Sequence, residues 1–229
     1  MKNRLLAGLP EEEYERLLPH LEKVSLTYKQ ILYEPNETIE DVYFPNNGII
    51  SMLTIMEDGS AIEVGTIGNE AMAGIAVFLG GDRVPIQTFV QVPGDAMRMR
   101  ADVFKREVPP GSPLHFRLQL YTQAMLTHLA QSAACNRLHC VEERFCRWLL
   151  MTQDRVGSDE FPITHEFLSH MLGVRRASVS EVAAIFQKAG IIRYNRGKMT
   201  ILDRKGLEDA ACECYTVVNQ EFDRLLGGN

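Results

Sequence analysis

The chain has 229 residues, of which 45% are hydrophobic, and its formal net charge is −6 at pH 7. This length accommodates one large domain or two small ones, and no stretch reaches the ~18–20 apolar residues that a membrane-spanning helix needs. An odd number of cysteines without regular spacing argues against a disulfide framework, and the N-terminus lacks the apolar core of a signal peptide. The composition therefore predicts a cytoplasmic protein that does not enter a membrane.

The charge is unevenly distributed along the chain. Residues 1–111 carry 10 Lys and Arg against 17 Asp and Glu, whereas residues 160–205 carry 8 against 4. An acidic protein is not typical of nucleic-acid binding, but a local basic excess is. We therefore expect any contact with nucleic acid to lie within residues 160–205.

The first half of the chain has the pattern of short β-strands. After an amphipathic helix expected at residues 11–23, strand-like runs continue from Val24 to about Met99 and are separated by turn formers such as Asp58-Gly59 and Pro93-Gly94. Many short strands at close spacing predict an antiparallel roll or barrel. Residues 71–79 interrupt this pattern and predict a short helix inside it.

A stretch without Pro or Gly, residues 114–155, predicts a long helix with a bend near Asn136-Arg137. Apolar or small residues recur along it at steps of three and four, which places them on one face. These residues are Leu114, Leu118, Tyr121, Met125, Leu129 and Ser132. The stripe predicts a helix that pairs with a second copy of the chain, and the alternative is an ordinary core helix.

The last part of the chain has the order of a winged helix-turn-helix. Thr164 is a good N-cap for a helix at 165–171, Gly173 supplies the turn, and a second helix runs over 175–188. Two short strands joined through residues 195–198 then form a hairpin, and a single helix is expected over 204–226. In this geometry the second helix places its N-terminal residues in the major groove of DNA.

Basic and polar residues occupy the positions from which such a domain contacts DNA. Arg pairs bidentately with guanine, Glu accepts a hydrogen bond from cytosine, and hydroxyl groups and hairpin cations reach phosphates. The predicted DNA-contacting residues are Arg175, Arg176, Ser178, Ser180, Glu181, Thr164, Ser169, Arg196 and Lys198. The alternative is a solvated basic face, which the glycine turn and the basic hairpin disfavour.

Residues 42–81, 120–151 and 163–203 together resemble the Crp/Fnr family of bacterial regulators. The resemblance implies an α+β chain with a cyclic-nucleotide-binding-like β-roll at 1–112, a dimerisation helix and hinge at 113–155, and a winged helix-turn-helix at 156–229. It also implies a homodimer on a near-palindromic DNA site, with RNA polymerase as a further partner. The family's recognition positions fall on Arg176, Ala177, Ser178 and Glu181. Glu181 stands where the best-known pattern has a second Arg, so we expect a different half-site.

The family's phosphate-binding site is poorly matched. Gly68 and Glu70 resemble its Gly-Glu pair with Asn69 inserted, and the expected Arg is represented only by Arg83, one residue out of register. A buried phosphate without a cation would be costly, so a cyclic nucleotide is not expected. The sequence leaves open an unidentified small effector or no ligand at all. The residues assigned to such a pocket are Gly68, Glu70, Ala71 and Arg83.

Cysteines provide an alternative sensor. Cys135 and His139 lie one helical turn apart with Cys140 adjacent, so two of them could share a metal in a thiol or metal sensor. Four ligands with zinc-type spacing are missing, and Cys212 and Cys214 are expected to point to different faces of the last helix. We therefore predict small buried residues rather than a metal site. No catalytic motif is found, which predicts a protein that is not an enzyme and has no cofactor.

Overall fold

A computed structural model describes residues 3–227. Its helices are α1 (Arg4–Ala7), α2 (Glu11–Leu17), α3 (Ile75–Phe78), α4 (Ala101–Glu107), α5 (Pro113–Leu138), α6 (Val141–Val156), α7 (His165–Leu172), α8 (Arg176–Lys188), α9 (Arg204–Ala210) and α10 (Cys214–Leu226). Its strands are β1 (Glu22–Leu26), β2 (Ile31–Tyr33), β3 (Asp41–Pro45), β4 (Ile49–Ile55), β5 (Ala61–Ile67), β6 (Gln87–Val92), β7 (Gly94–Arg100), β8 (Glu160–Pro162), β9 (Ile192–Asn195) and β10 (Lys198–Ile201). Within the described range, no helix has both the length and the apolar character that crossing a membrane requires.

The N-terminal strands form two antiparallel sheets, with strand orders β1-β7-β3 and β2-β6-β4-β5. This confirms the predicted antiparallel roll. The sequence patterns missed β2 and α4: β2 has only three residues, and α4 follows β7 directly without a turn former between them. The helix expected at 71–79 is confined to α3, which begins after Gly74 in a left-handed conformation (φ +89°).

Helix α5 packs its apolar stripe inside the chain. Leu114, Leu118 and Tyr121 are fully buried in a core that they share with the β-roll, and the Tyr121 hydroxyl donates to the Met72 carbonyl at 3.3 Å. Most of the stripe is therefore covered within the chain, as in the alternative of a core helix, and only Leu129 is half-buried. Pairing of α5 with a second copy remains a prediction. The break between α5 and α6 lies at His139, whose backbone is extended, rather than at Asn136-Arg137.

A second core holds the C-terminal domain together. Phe145 and Leu149 of α6 pack there with Leu168 of α7, Val179 of α8 and Met199 of β10. Strands β8, β10 and β9 form the small antiparallel sheet of the wing. The helix, turn, helix and hairpin predicted from the sequence are all present.

The last helix is broken in two, contrary to the prediction of one helix over 204–226. Ala211, which follows α9, is extended (φ −81°, ψ 153°), and the chain then reverses so that α10 packs against α5. Val218 and Phe222 of α10 thereby join the core of the N-terminal roll. The domain limits predicted from the sequence remain a prediction, although α10 packs with the N-terminal core and α6 with the C-terminal one.

Candidate DNA-binding surface and sensor region

The start of α8 presents the predicted base-reading side chains to solvent. Arg175 is its N-cap residue, with an extended backbone, and Arg176 is the first helical residue; both are exposed, as is Glu181. Ser178 is partly exposed, while Val179 on the opposite face is fully buried. The 3.6-residue helical period therefore separates a polar face from the face that anchors the helix.

The wing lies beside the start of α7. Arg196 and Gly197 both have positive φ, +48° and +80°, which is the geometry of a two-residue hairpin turn. The backbone N–H of Ile163 donates to the Gly197 carbonyl at 2.8 Å, so Thr164 and the hairpin tip are adjacent. The Lys198 ammonium lies 2.5 Å from a Glu160 carboxylate oxygen, and both side chains are exposed. Such an exposed ion pair is weak, so a DNA phosphate could take the place of the carboxylate.

Two of the predicted contact residues have other partners. The Ser180 hydroxyl lies 2.9 Å from His165 Nδ1, and the His165 ring stacks on Tyr194 with centroids 4.0 Å apart. Burial and, to a lesser degree, the charge of Arg176 lower the pKa of His165, so its ring is neutral at pH 7 and supports this face. Ser169 is buried, and its hydroxyl donates to the Glu166 carbonyl at 2.7 Å. Sequence reasoning missed His165 and Tyr194, since only their proximity in the fold reveals the stack.

The helix-turn-helix is docked on the β-roll. Gly173, in the turn between α7 and α8, is so close to β5 that an added Cβ would lie 2.9 Å from Ile62 Cδ1. The rings of Phe89 and Phe167 meet edge to face, 6.2 Å apart. A cleft of about 1030 Å³ lies along this interface, and residues from both domains line it, including Arg175 and Ser178.

A carboxylate lies at the same interface. Glu63 of β5 accepts a hydrogen bond from Trp148 Nε1 of α6 at 3.0 Å and another from the Ser51 hydroxyl. Burial raises the pKa of Glu63 to about 7, although the two hydrogen bonds and, more weakly, nearby cations oppose that effect. This carboxyl therefore titrates near neutral pH between the two domains.

The residues proposed for an effector pocket do not all meet. Gly68, Glu70 and Ala71 are buried together, and the Glu70 carboxylate pairs with Arg155 of α6 at 2.8 Å. Arg83, in contrast, is exposed and pairs with its neighbour Asp82. The cavity beside Glu70, about 220 Å³, is not lined by Arg83. The cation that pairs with Glu70 is thus Arg155, which comes from a distant segment of the sequence, so the spacing of the family motif could not identify it.

A smaller polar cavity of about 30 Å³ lies among β5, α5 and α6. Thr66 Oγ1 and His128 Nδ1 are buried there without a hydrogen-bond partner among the described residues. Burial, reinforced by the charges of Arg155 and Arg147, lowers the pKa of His128 to about 3, so the imidazole is neutral. This volume accommodates water but not a nucleotide.

The cysteines are arranged differently from the sequence prediction. Cys135 and His139 do lie together, but Cys140 is exposed at the start of α6. Cys212 and Cys214 join the pair instead, and all four ligand atoms lie within 4.8 Å of one another. The expectation that Cys212 and Cys214 point apart was wrong because the chain between α9 and α10 is not helical.

Comparisons with known proteins agree with this architecture. Residues 143–210 match the family model of the Crp-like helix-turn-helix domain. Among solved structures, FixK2 from Bradyrhizobium japonicum has a TM-score of 0.71 at 14% identity, over 84% of this chain and 98% of that one. A protein from Eubacterium rectale assigned to the Crp/Fnr family has a TM-score of 0.69 at 18% identity, over 90% and 96%.

TTHB099, a CRP-family transcriptional regulator from Thermus thermophilus, also has a TM-score of 0.69 at 18% identity, over 82% of this chain and 96% of that one. A comparison with curated protein sequences gave no significant match. The chain therefore shares its fold with these solved structures, in agreement with the resemblance seen in its sequence, and residues 143–210 form a Crp-like helix-turn-helix domain.

Proposed function

We propose that the chain is a transcription regulator that reads DNA sequence as a homodimer and responds to a signal received by its β-roll. The observation that carries the proposal is the exposed start of α8, where Arg175, Arg176 and Glu181 face solvent beside a basic hairpin. Because bases are read by such side chains in the major groove, these residues are the specificity determinants. The role is regulatory rather than catalytic, and we expect it to be performed in the cytoplasm with RNA polymerase as a partner.

The position of each residue in the domain determines whether it would contact bases or phosphates. Arg176 and Glu181 supply hydrogen-bonding groups that distinguish guanine and cytosine, and Ser178 adds an adaptable hydroxyl. Arg196, Lys198 and Thr164 contact phosphates and position the helix without reading sequence. Ser180 acts through its hydrogen bond with His165, and Ser169 is too buried to reach DNA in the described arrangement.

Selection of bound sequences from a random duplex pool tests the proposal. We expect enrichment of a near-palindrome, and Arg176→Ala should weaken binding to it by about 1–3 kcal/mol and relax specificity at one position of each half-site. Lys198→Ala should weaken binding to all sequences alike and reduce the salt dependence. Lys188→Ala, a change of an exposed cation at the far end of α8, is the matched control. Failure of the wild-type protein to enrich any sequence, alone or with cell extract, would contradict a sequence-reading role.

A second face of α5 is suited to dimerisation. Exposed residues recur along it at alternating steps of three and four, the spacing of a coiled-coil seam. These residues are Phe116, Gln119, Gln123, Leu126, Ala130, Ala133 and Arg137. Phe116 and Leu126 are 59% and 63% exposed, and the alanines allow a second helix to approach closely. This seam lies opposite the buried stripe, so one helix serves the core and the dimer at once.

Mass measurement in solution tests the seam. Leu126→Glu places a charge in the proposed contact and should shift the protein from dimer to monomer in sedimentation experiments. Leu79→Glu, a change at an equally exposed leucine of the β-roll, should leave the mass unchanged. A wild-type monomer at micromolar concentration, or a Leu126→Glu dimer as stable as that of the wild type, would contradict the seam.

The contact between the helix-turn-helix and the β-roll offers a way for a signal to pass from one domain to the other. Arg175 and Ser178 line the cleft against the β-roll, and the interface is held by Phe89–Phe167 packing and the Glu63–Trp148 hydrogen bond. We infer that a signal changes how the domain sits on the roll and so changes access of α8 to DNA. A small effector is one candidate signal, and titration with cAMP and cGMP should leave the melting temperature unchanged if neither binds the native state.

A further inference from the structure

Four side chains with metal-ligating atoms meet where α5, α6 and α10 join. Cys135 lies in the last turn of α5 and His139 is the C-cap residue of that helix. Cys212 lies in the turn between α9 and α10 and Cys214 is the first residue of α10, both more than seventy residues later in the chain. The three cysteines are buried, with exposures of 0%, 4% and 0%, and the four ligand atoms lie within 4.8 Å of one another.

Two of the separations among these ligand atoms are close to those of a tetrahedral zinc site. Cys135 Sγ lies 3.5 Å from Cys212 Sγ, and Cys214 Sγ lies 3.5 Å from His139 Nδ1. With Zn–S bonds of about 2.3 Å and Zn–N bonds of about 2.0–2.1 Å, tetrahedral angles place two thiolates about 3.8 Å apart and a thiolate and an imidazole nitrogen about 3.6 Å apart. Movements of a few tenths of an ångström would therefore bring these pairs to coordination geometry.

Neighbouring polar groups orient two of the four ligands. His139 directs Nδ1 toward Cys214, while its Nε2 lies 3.2 Å from a Glu213 carboxylate oxygen. A carboxylate on the far nitrogen fixes the tautomer and ring orientation of metal-bound histidines. Gln131 Nε2 donates a hydrogen bond to Cys214 Sγ at 3.2 Å, the kind of contact that coordinating thiolates accept. Packing of small side chains accounts for the buried thiols but not for the imidazole and carboxylate arranged around them.

We propose that Cys135, His139, Cys212 and Cys214 bind one Zn²⁺ ion per chain. On binding, each thiol sulfur coordinates the metal and its proton leaves to solvent, and His139 binds through neutral Nδ1. Two ligands lie at the break between α5 and α6, and the other two lie just before and at the start of α10. The ion therefore cross-links the end of the dimerisation helix to the C-terminal helix and holds the hinge in its described geometry.

Metal content tests the site on the full-length chain. After exposure to Zn²⁺ and removal of free metal, we expect one zinc per wild-type chain and none above background in Cys212→Ser or His139→Ala. Cys140→Ser and Cys146→Ser, whose cysteines lie outside the cluster, should each retain one zinc. Zn²⁺ should also raise the melting temperature of the wild type but not of Cys212→Ser, because a ligand of the native state stabilises it.

Two further measurements do not depend on the folding of those variants. Co²⁺ added to the metal-free wild type should produce a thiolate-to-cobalt charge-transfer band and the intense d–d bands of a tetrahedral site. Glu213→Gln should keep one metal per chain but bind it about 10- to 100-fold more weakly, whereas Asp209→Asn, a nearby exposed control, should not change the affinity.

Three outcomes would overturn the proposal. The first is a wild-type chain that takes up no stoichiometric Zn²⁺ after full reduction. The second is zinc retained undiminished in both Cys212→Ser and His139→Ala. The third is a Cys135–Cys212 disulfide in the purified protein, detected by mass spectrometry, with no metal binding after that bond is reduced.

Discussion

Replacement of Glu63 by Gln should remove a pH dependence of stability that originates at the interface between the two domains. Burial raises the pKa of Glu63 from its ordinary 4.5 to about 7. Between pH 4.5 and about pH 7, Glu63 keeps its proton in the native state but has released it in the unfolded chain. The free energy of unfolding therefore falls as the pH rises from about 4.5 to 7, and the loss is complete above pH 7.

The size of the effect follows from the shift. Each pKa unit corresponds to about 1.4 kcal/mol, so ionisation of Glu63 costs the native state up to about 3 kcal/mol at pH 8. Because Gln stays neutral and its amide oxygen can still accept from Trp148 Nε1, Glu63→Gln should be more stable than the wild type at pH 8 by about that amount. For a chain of this size the difference corresponds to a rise in melting temperature of roughly 6–12 °C. At pH 4.5 the two proteins should melt together.

Thermal unfolding followed by fluorescence measures this directly, because Trp148 is the single tryptophan of the chain and donates to Glu63. The difference in melting temperature between variant and wild type isolates Glu63, since the other titrating groups are common to both. Glu57→Gln, a change of an exposed carboxylate on the turn of the same hairpin, is the control and should follow the wild type. A Glu63→Gln difference that is the same at pH 4.5 and pH 8 would refute the reasoning.

Two other substitutions probe the same interface by urea titration. Gly157→Ala and Gly173→Ala both place a Cβ on a residue with left-handed backbone, which should lower the free energy of unfolding by about 1–2 kcal/mol each. Only the Cβ of Gly173→Ala would also collide with a neighbouring side chain, that of Ile62. Gly173→Ala should therefore lose more stability and alter the tryptophan fluorescence of the native protein; equal losses without a fluorescence change would show that the Ile62 contact is unimportant. Glu70→Gln removes the charged partner of Arg155, whose side chain is only 9% exposed. We therefore expect the free energy of unfolding to fall by about 3–5 kcal/mol. Adding Arg155→Met should restore most of that stability, and no recovery would contradict a paired-charge explanation.

Local signals along the chain were sufficient for the DNA-binding half. Thr164 caps α7 through a hydrogen bond from the Phe167 N–H, and Gly173 turns the chain at φ +61°. Arg196 and Gly197 close the wing hairpin. Each of these features depends on residues within a few positions of one another, so the sequence alone determined their order and spacing, and with them the exposed face of α8.

Contacts between distant segments could be decided only by the tertiary structure. The apolar stripe of α5 was correctly placed on one face, but helical periodicity does not say whether a β-roll or a second helix covers that face. Glu70 is paired with Arg155 rather than with Arg83 because the partner comes from α6, 85 positions away. Cys212 and Cys214 meet Cys135 and His139 only because the chain breaks after α9 and α10 returns along α5. Short-range patterns thus determined most of the helices and strands of this protein, whereas the packing of those elements determined which of their side chains form sites.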